Sequence, residues 1–398
     1  MLLGLWLVYS SFGLIVTSIA PLVAVIERDL QISHAAMGSI MGAWQLVYIV
    51  AAIPCGILLD RLGSRYAILI GVMLIALSGF GRSMAEDYWG FLLAVMIFGL
   101  GGPIISSGAP KLVAEKFSGH KRGLAMGIYM TGPALGGVIS LALTHAWLMP
   151  MLDNDWRQVM QFWTILVGVC AAVWLLVSWL FLEVRSTEEN AQKIPQLVVM
   201  CSLLRMPAVQ IILAMSVGVF LFNHGLNNWL VELLRHGGMS FTQAGYWATI
   251  PTLVGIVGSL LIPRLATPAH RFMILGSLCA LAVLACVLLR FTDEFPIALG
   301  LISQGVARSS MMTVLLLTLV ELPGIGDSRA GVASGMFFSA AEIGGVLGPL
   351  GIGLLYDFSG GFGSSLTSLS LVASLLVMGS FVLQRAVRQQ LPAPDREP

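Results

Sequence analysis

Along the chain, apolar runs of about twenty residues alternate with short polar or charged turns, and the alternation occurs twelve times. An α-helix needs roughly 20 apolar residues to cross the hydrocarbon of a bilayer, so each run reads as a membrane-spanning helix. The pattern predicts helices near Leu3–Val25, Ala36–Leu59, Tyr66–Gly81, Trp89–Val113, Gly123–Leu148 and Val159–Phe181. Six more follow near Val209–Leu233, Ala244–Ile262, Arg271–Leu289, Ile297–Val320, Gly331–Tyr356 and Ser364–Leu383. The one sizeable polar break in the middle divides the chain into an N-terminal six-helix bundle at 1–182, a cytoplasmic linker at 183–208 and a C-terminal six-helix bundle at 209–398. The second part of the linker, IPQLVVMCSLLRMP, reads as an amphipathic helix lying on the membrane face. The opening MLLGLWLVYSS has no basic residue ahead of its apolar run, and that run exceeds a signal-peptide core, so it is expected to remain as the first helix.

Composition narrows the class further. Of the 398 residues 57% are hydrophobic and 10% charged, against roughly a quarter charged in soluble globular chains. With a mean hydropathy of +0.90, the chain is expected in a lipid bilayer and not among soluble enzymes. A net charge of +1 leaves no basic surplus for binding nucleic acid. The cysteines Cys55, Cys170, Cys201, Cys279 and Cys286 stand apart in apolar runs, so neither disulfides nor a metal site are expected. No Walker loop, GxSxG or HExxH occurs, and no soluble segment is long enough for an ATPase domain, so no enzyme activity and no cofactor are expected.

Lys and Arg accumulate in cytoplasmic loops. Placing both termini inside puts fourteen of them on the cytoplasmic side and five, Arg28, Arg82, Arg157, Arg235 and Arg290, on the other. The orientation expected is therefore that of a multi-pass protein of the inner (plasma) membrane with both ends cytoplasmic. Two basic residues, Lys111 and Arg308, fall within spans. Lys111 is near a helix end and is expected to snorkel to the headgroups.

The halves repeat one another. Gly123–Val138 aligns without gaps on Gly331–Val346 at an offset of 208, with glycines coinciding at Gly123/Gly331, Gly127/Gly335, Gly136/Gly344 and Gly137/Gly345. Within one residue of that offset, Ser33 pairs with Ser240 and Gly38 with Gly245. Two parallel six-helix units related by an axis along the membrane normal are expected, with a binding site at mid-depth. Small residues spaced by four, as at Gly123 and Gly127 or Gly331 and Gly335, are expected to bring helix backbones into close approach.

Between the second and third helices stands Gly56-Ile-Leu-Leu-Asp60-Arg61-Leu-Gly63-Ser-Arg65. This resembles the signature loop of the major facilitator superfamily, G-x-L-x-D-R-x-G-R-[RK], and departs from it at Ser64. With the six-plus-six repeat, the resemblance covers the whole chain and implies an all-α integral membrane fold of twelve transmembrane helices in two pseudo-symmetric bundles. It also implies that Gly56, Asp60, Arg61, Gly63 and Arg65 gate the cytoplasmic side, with Asp60 bracing the start of the eleventh helix, where Arg329 offers an ion-pair partner. The second half carries a degraded copy, Gly258-Ser-Leu-Leu-Ile-Pro263-Arg264, in which proline replaces the acid. Gly132-Pro133-Ala-Leu-Gly136-Gly137 is similar to the core of the family's antiporter signature, with Gly127 one place out of register.

Charged and polar residues at mid-membrane are costly, which makes them functional candidates. Arg308 lies near the middle of the tenth helix with Gln304 one turn earlier on the same face, and a guanidinium can hold a carboxylate bidentately. Glu342 is about 16 Å into the eleventh helix at roughly 1.5 Å per residue. Desolvation and any neighbouring cation decide the protonation of a carboxyl at that depth, which suits a proton carrier. The structural alternative is a mutual Arg308–Glu342 ion pair. The run Asn223-His224-Gly225-Leu-Asn227-Asn228-Trp229 reads as a locally unwound seventh helix offering donors to a ligand, with His224 a candidate proton relay beside Glu342. Tyr9 and Gln45 are candidates for the opposite wall.

Together these features lead to the expectation of a monomeric secondary transporter working by alternating access. It would take up a small (organic) anion with protons, loosely similar to the anion and cyanate-like branches of the family. A proton-coupled exporter of amphipathic drugs and a non-transporting membrane sensor are the alternatives.

Overall fold

The computed structural model describes residues 1–181 and 196–390, less the side chains of Ile53, Asp60, His120, Phe181, Gln196, Leu197, Asp327, Ser328 and Gln390. All regular structure among the described residues is helical. Among the described residues twelve helices are long and apolar enough to cross a membrane. In the first half they are α1 Leu2–Leu30, α2 His34–Ala52, α3 Arg61–Ser83, α4 Tyr88–Lys116, α5 Lys121–Met151 and α6 Trp156–Leu180. In the second half they are α7 Pro207–His236, α8 Phe241–Leu265, α9 Arg271–Leu288, α10 Glu294–Val320, α11 Arg329–Ser359 and α12 Gly363–Gln389. Gln196–Leu204, inside the expected linker, is also helical, while 182–195 lies outside the described residues.

Local chemistry sets several of the ends. Ser33 and Ser240, repeat-related in sequence, cap α2 and α8: each side-chain oxygen accepts a backbone N–H three residues on, from Ala36 and Gln243 at 3.2 Å. Asp87 does the same for α4 through the N–H of Gly90 at 2.8 Å. Proline breaks α1, because its ring removes an amide donor. The helix stops at Thr17, tightens to a 3-10 turn over Ala20–Leu22 around Pro21, and resumes at Val23. Near the start of α3 the backbone turns at Gly63, whose φ of 74° and ψ of 163° are open only to glycine.

Two compact units are present, and their boundary runs through α7, α8 and α11. Unit 1 comprises Met1–Glu189, Gly225–Leu253 and Pro349–Phe362. Unit 2 comprises Asn190–His224, Val254–Gly348 and Gly363–Pro398.

Inside unit 1, α1 and α5 meet backbone to backbone. A Cβ on Gly136 would collide with the carbonyl oxygen of Ser10, one on Gly13 with that of Pro133, and one on Gly132 would stand 2.9 Å from that of Trp6. Inside unit 2 the repeat-equivalent Gly344 on α11 sits in the same way against the carbonyl oxygen of Val217 on α7. The four glycines expected to make this contact behave otherwise. A Cβ on Gly123, Gly127, Gly331 or Gly335 would meet nothing within 4 Å. The close approach lies two to three turns further along each helix, where the contact surfaces converge.

Two further expectations are corrected. The seventh helix is not unwound at Asn223–Trp229 but runs as continuous α-helix over Pro207–His236, because Gly225 is accommodated at normal helical geometry. Arg82, assigned above to a loop, lies in the last turn of α3 and is 1% exposed. Its guanidinium donates to the carbonyl of Ile15 at 2.7 Å and to Ser18 Oγ at 3.5 Å, where α1 breaks, and lies 5.5 Å from the Phe98 ring centroid. A buried charge is tolerated there because carbonyl and hydroxyl oxygens at the break accept its hydrogen bonds.

Candidate functional site

Five of the mid-membrane candidates fall in unit 2: Asn223 and His224 on α7, Gln304 and Arg308 on α10, and Glu342 on α11. Asn223, His224 and Arg308 are partly accessible, Gln304 is 0% exposed and Glu342 6% exposed. The guanidinium of Arg308 lies within electrostatic reach of the His224 imidazole, so α7 and α10 present a cation and a titratable ring to one another. Hydrogen-bonding capacity is left over in the same unit: both amide atoms of Gln304, Asn223 Oδ1 and Glu342 Oε2 are buried without a bonded partner. An unbonded buried polar atom costs about 1–3 kcal/mol, a cost that persists in functional positions.

Glu342 forms no ion pair among the described residues. An ion pair of unit 2 that spacing did not show joins Arg271, 7% exposed at the start of α9, to the half-exposed carboxylate of Glu321 just past the end of α10.

Asn227, Asn228, Tyr9 and Gln45 belong to unit 1. The helical turn between His224 and Asn227 thus separates the amide-rich run into two environments. Tyr9 lies in a chain of rings, 6.0 Å from Phe12 and 5.4 Å from Tyr129, and Phe12 continues to Trp44 at 6.2 Å and Phe98 at 5.0 Å. Gln45 is 0% exposed beside Trp44. The Tyr48 hydroxyl is 2.8 Å from Ser106 Oγ. Phe12 had a readable signal, being one turn from Tyr9 on the same face. Phe98 and Tyr129 had none, because they arrive from α4 and α5.

In the signature loop, the Asp60 side chain lies outside the described residues, and with it the expected brace to Arg329. Arg329 Nη1 donates to the Gly324 carbonyl at 3.3 Å. Ser64, the departure from the signature, is 5% exposed and donates to Glu115 Oε2 at 3.2 Å, while the Arg65 carbonyl accepts from Trp174 Nε1 at 3.2 Å. The loop is thus anchored to α4 by a serine in a place where the signature has a charge, and to α6 by a backbone carbonyl. Arg61 is exposed, and a Cβ on Gly56 would meet nothing within 4 Å.

A family model described as Major Facilitator Superfamily matches residues 5–349. Among characterised sequences, the chain is 24% identical to a quinolone resistance transporter of Acinetobacter baumannii, over 91% of this chain and 88% of that one. It is 23% identical to a probable galactarate/D-glucarate transporter of Escherichia coli, over 89% of this chain and 86% of that one. Among solved structures, the nucleoside transporter NupG superposes with a TM-score of 0.76 at 13% identity, covering 98% of this chain and all of that one. Twelve apolar helices, the anchored signature loop and the family match agree: the chain belongs to the major facilitator superfamily and is a multi-pass membrane transporter of that type.

Proposed function

We propose that the protein takes up a small organic anion together with protons by alternating access, with both termini cytoplasmic in the inner membrane and the two six-helix halves rocking about a mid-membrane site. The observation that carries the reading is the pair of ionisable groups in unit 2, Arg308 within reach of His224 and Glu342 buried with an unbonded Oε2. Charges at that depth are expensive and mark substrate and proton pathways. Arg308 would hold the carboxylate of the substrate and Asn223 and Gln304 would orient it. Glu342 would carry the proton, with His224 as a relay. The likeness to a galactarate/D-glucarate transporter supports an acidic substrate.

In the cycle, Glu342 protonates from one side, the anion seats on Arg308, the halves rock, and both leave on the other side. The test is uptake of labelled galactarate, D-glucarate and related acids into proteoliposomes under an imposed pH gradient. Proton-driven accumulation that needs Arg308 and Glu342 is the expected result. Accumulation that survives both Arg308→Ala and Glu342→Gln would overturn it.

A second reading, proton-coupled export of amphipathic drugs, draws on the likeness to the quinolone resistance transporter. Under it, cells carrying the protein would resist several unrelated lipophilic compounds and show no anion uptake.

A further inference from the structure

Unit 1 gathers the C-terminal ends of α1, α7 and α11 and the N-terminal ends of α2 and α8, from both halves of the sequence. Backbone makes the closest contacts there. A Cβ on Gly353 of α11 would collide with the His34 carbonyl of α2, and one on Gly38 of α2 with the Pro349 carbonyl. The repeat-related contact of α8 on α5 has the same character, with a Cβ on Gly245 standing 2.6 Å from the Leu141 carbonyl. Where α2 meets α11 and α7, the His34 imidazole is held between two rings: Tyr356, 3.8 Å away and 3° from parallel, and Trp229, 5.2 Å away and 6° from parallel. Asp357 Oδ1 and Oδ2 accept the backbone N–H groups of His34 at 3.1 Å and Ala35 at 2.8 Å, placing a carboxylate on the N-terminus of α2.

Most charges at this contact have an answer. Glu232 is bonded by Arg235 at 2.9 Å, and Asp357 by the two amides. Glu27, from the far end of α1, is 9% exposed; its Oε1 has no bonded partner and its Oε2 lies 3.4 Å from His34 Nδ1. His34 Nδ1 is also 3.9 Å from Asp357 Oδ1, and its Nε2 is buried without a bonded partner. Asp357 and Glu232 act on Glu27 through space, Asp357 and His236 act on His34, and the Tyr356 hydroxyl shares the same surroundings. A neutral imidazole can donate its Nδ1–H to Glu27 Oε2, but Glu27 Oε1 and His34 Nε2 then remain as buried acceptors without a donor, and two carboxylates, Glu27 and Asp357, stand within 4 Å of one imidazole nitrogen, a set that one further proton relieves.

We propose that Glu27 and His34 form a proton-binding latch: closure of this face captures one further proton on the carboxyl–imidazole pair, and opening returns it to the solution on that side. Both groups belong to the first half of the chain, so they stay together when the far ends of α7 and α11 withdraw. Closure adds Asp357 and Glu232 to their surroundings and removes water, and the negative charge so gathered is met by the captured proton. Acid on this side therefore favours the closed face. The site is separate from Glu342 and independent of the identity of the substrate.

The test is the distance between spin labels at Arg28→Cys and Phe358→Cys, both exposed at this face, in full-length protein lacking the exposed Cys201 and reconstituted in lipid. The short-distance population is expected to grow as pH falls from 8 to 5, by at most about tenfold per pH unit for one captured proton. Glu27→Gln, which mimics the protonated carboxyl, is expected to hold the face closed across that range. His34→Phe keeps both ring stacks but leaves the carboxyl no base to share with, and is expected to move the midpoint of the response. Glu342→Gln is expected to leave the response intact, which keeps this result distinct from the fate of the transport reading. A pH-independent distance in the unmodified latch, or a wild-type response in Glu27→Gln, overturns the proposal. Should Glu27→Gln fail to fold, an unmoved midpoint in His34→Phe overturns it equally.

Discussion

The imidazole of His34 lies flat on the ring of Tyr356, with centroids 3.8 Å apart and planes 3° from parallel. The two residues are 322 positions apart in sequence, and Trp229 covers the other face of the imidazole. Aromatic pairs contribute about 0.5–1.5 kcal/mol each beyond the area they bury. His34→Ala should therefore destabilise the protein by roughly 1–3 kcal/mol, read as a lower unfolding midpoint of purified protein in detergent. An unchanged midpoint would mean that the stack is not part of the stable state.

The glycine contacts separate two classes of substitution. Gly136→Ala and Gly344→Ala drive a methyl into the carbonyls of Ser10 and Val217, so both should sharply reduce the yield of monodisperse protein. Gly127→Ala and Gly335→Ala meet open space and should be tolerated, with a small gain from helix propensity of up to about 1 kcal/mol. Size-exclusion profiles of the four variants decide the matter, and equal losses at all four would refute it.

Arg82→Ala removes one of two donors to the carbonyl of Ile15 at the break in α1, leaving Ser18 Oγ as the other. A hydrogen bond from a charged group contributes about 1.5–3 kcal/mol, so thermal stability should fall by that order. Arg82→Lys should recover only part of it, because an ammonium lacks the planar fork of the guanidinium. Full recovery by lysine would show that charge alone suffices.

Gly63→Ala forces a side chain onto a backbone with φ 74° and ψ 163°. Strain of this kind costs roughly 1–3 kcal/mol. The expected phenotype is a protein that is less stable yet still inserted, measured by membrane yield against unfolding midpoint. Wild-type stability would mean that the turn relaxes freely.

For the transport reading, Glu342→Gln should abolish accumulation driven by a pH gradient while sparing exchange of substrate across the membrane, since the amide cannot carry a proton. Arg308→Ala should abolish both. Counterflow assays in proteoliposomes separate the outcomes, and gradient-driven accumulation by Glu342→Gln would remove the proton-carrier role.

The sequence by itself determined the number and order of the spans, because a bilayer imposes one hydrophobic length on every crossing and the residues record it directly. It also determined the family, through the Gly56–Arg65 loop, and singled out Arg308 and Glu342, since a charge inside an apolar run stands out without any neighbour. The serine caps of α2 and α8 were legible for the same reason: capping acts within four residues. What only the tertiary structure decided are contacts between distant segments. It moved the tight glycine seam from Gly123 and Gly331 to Gly136 and Gly344, because spacing reports which residues share a helix face but not where a second helix crosses it. It kept α7 helical through Gly225, placed Arg82 inside the protein, and brought Glu27, His34 and Asp357 together. The sequence singled out none of those three, because Asp357 and the α7 and α11 residues around Glu27 and His34 come some two hundred to three hundred positions later in the chain.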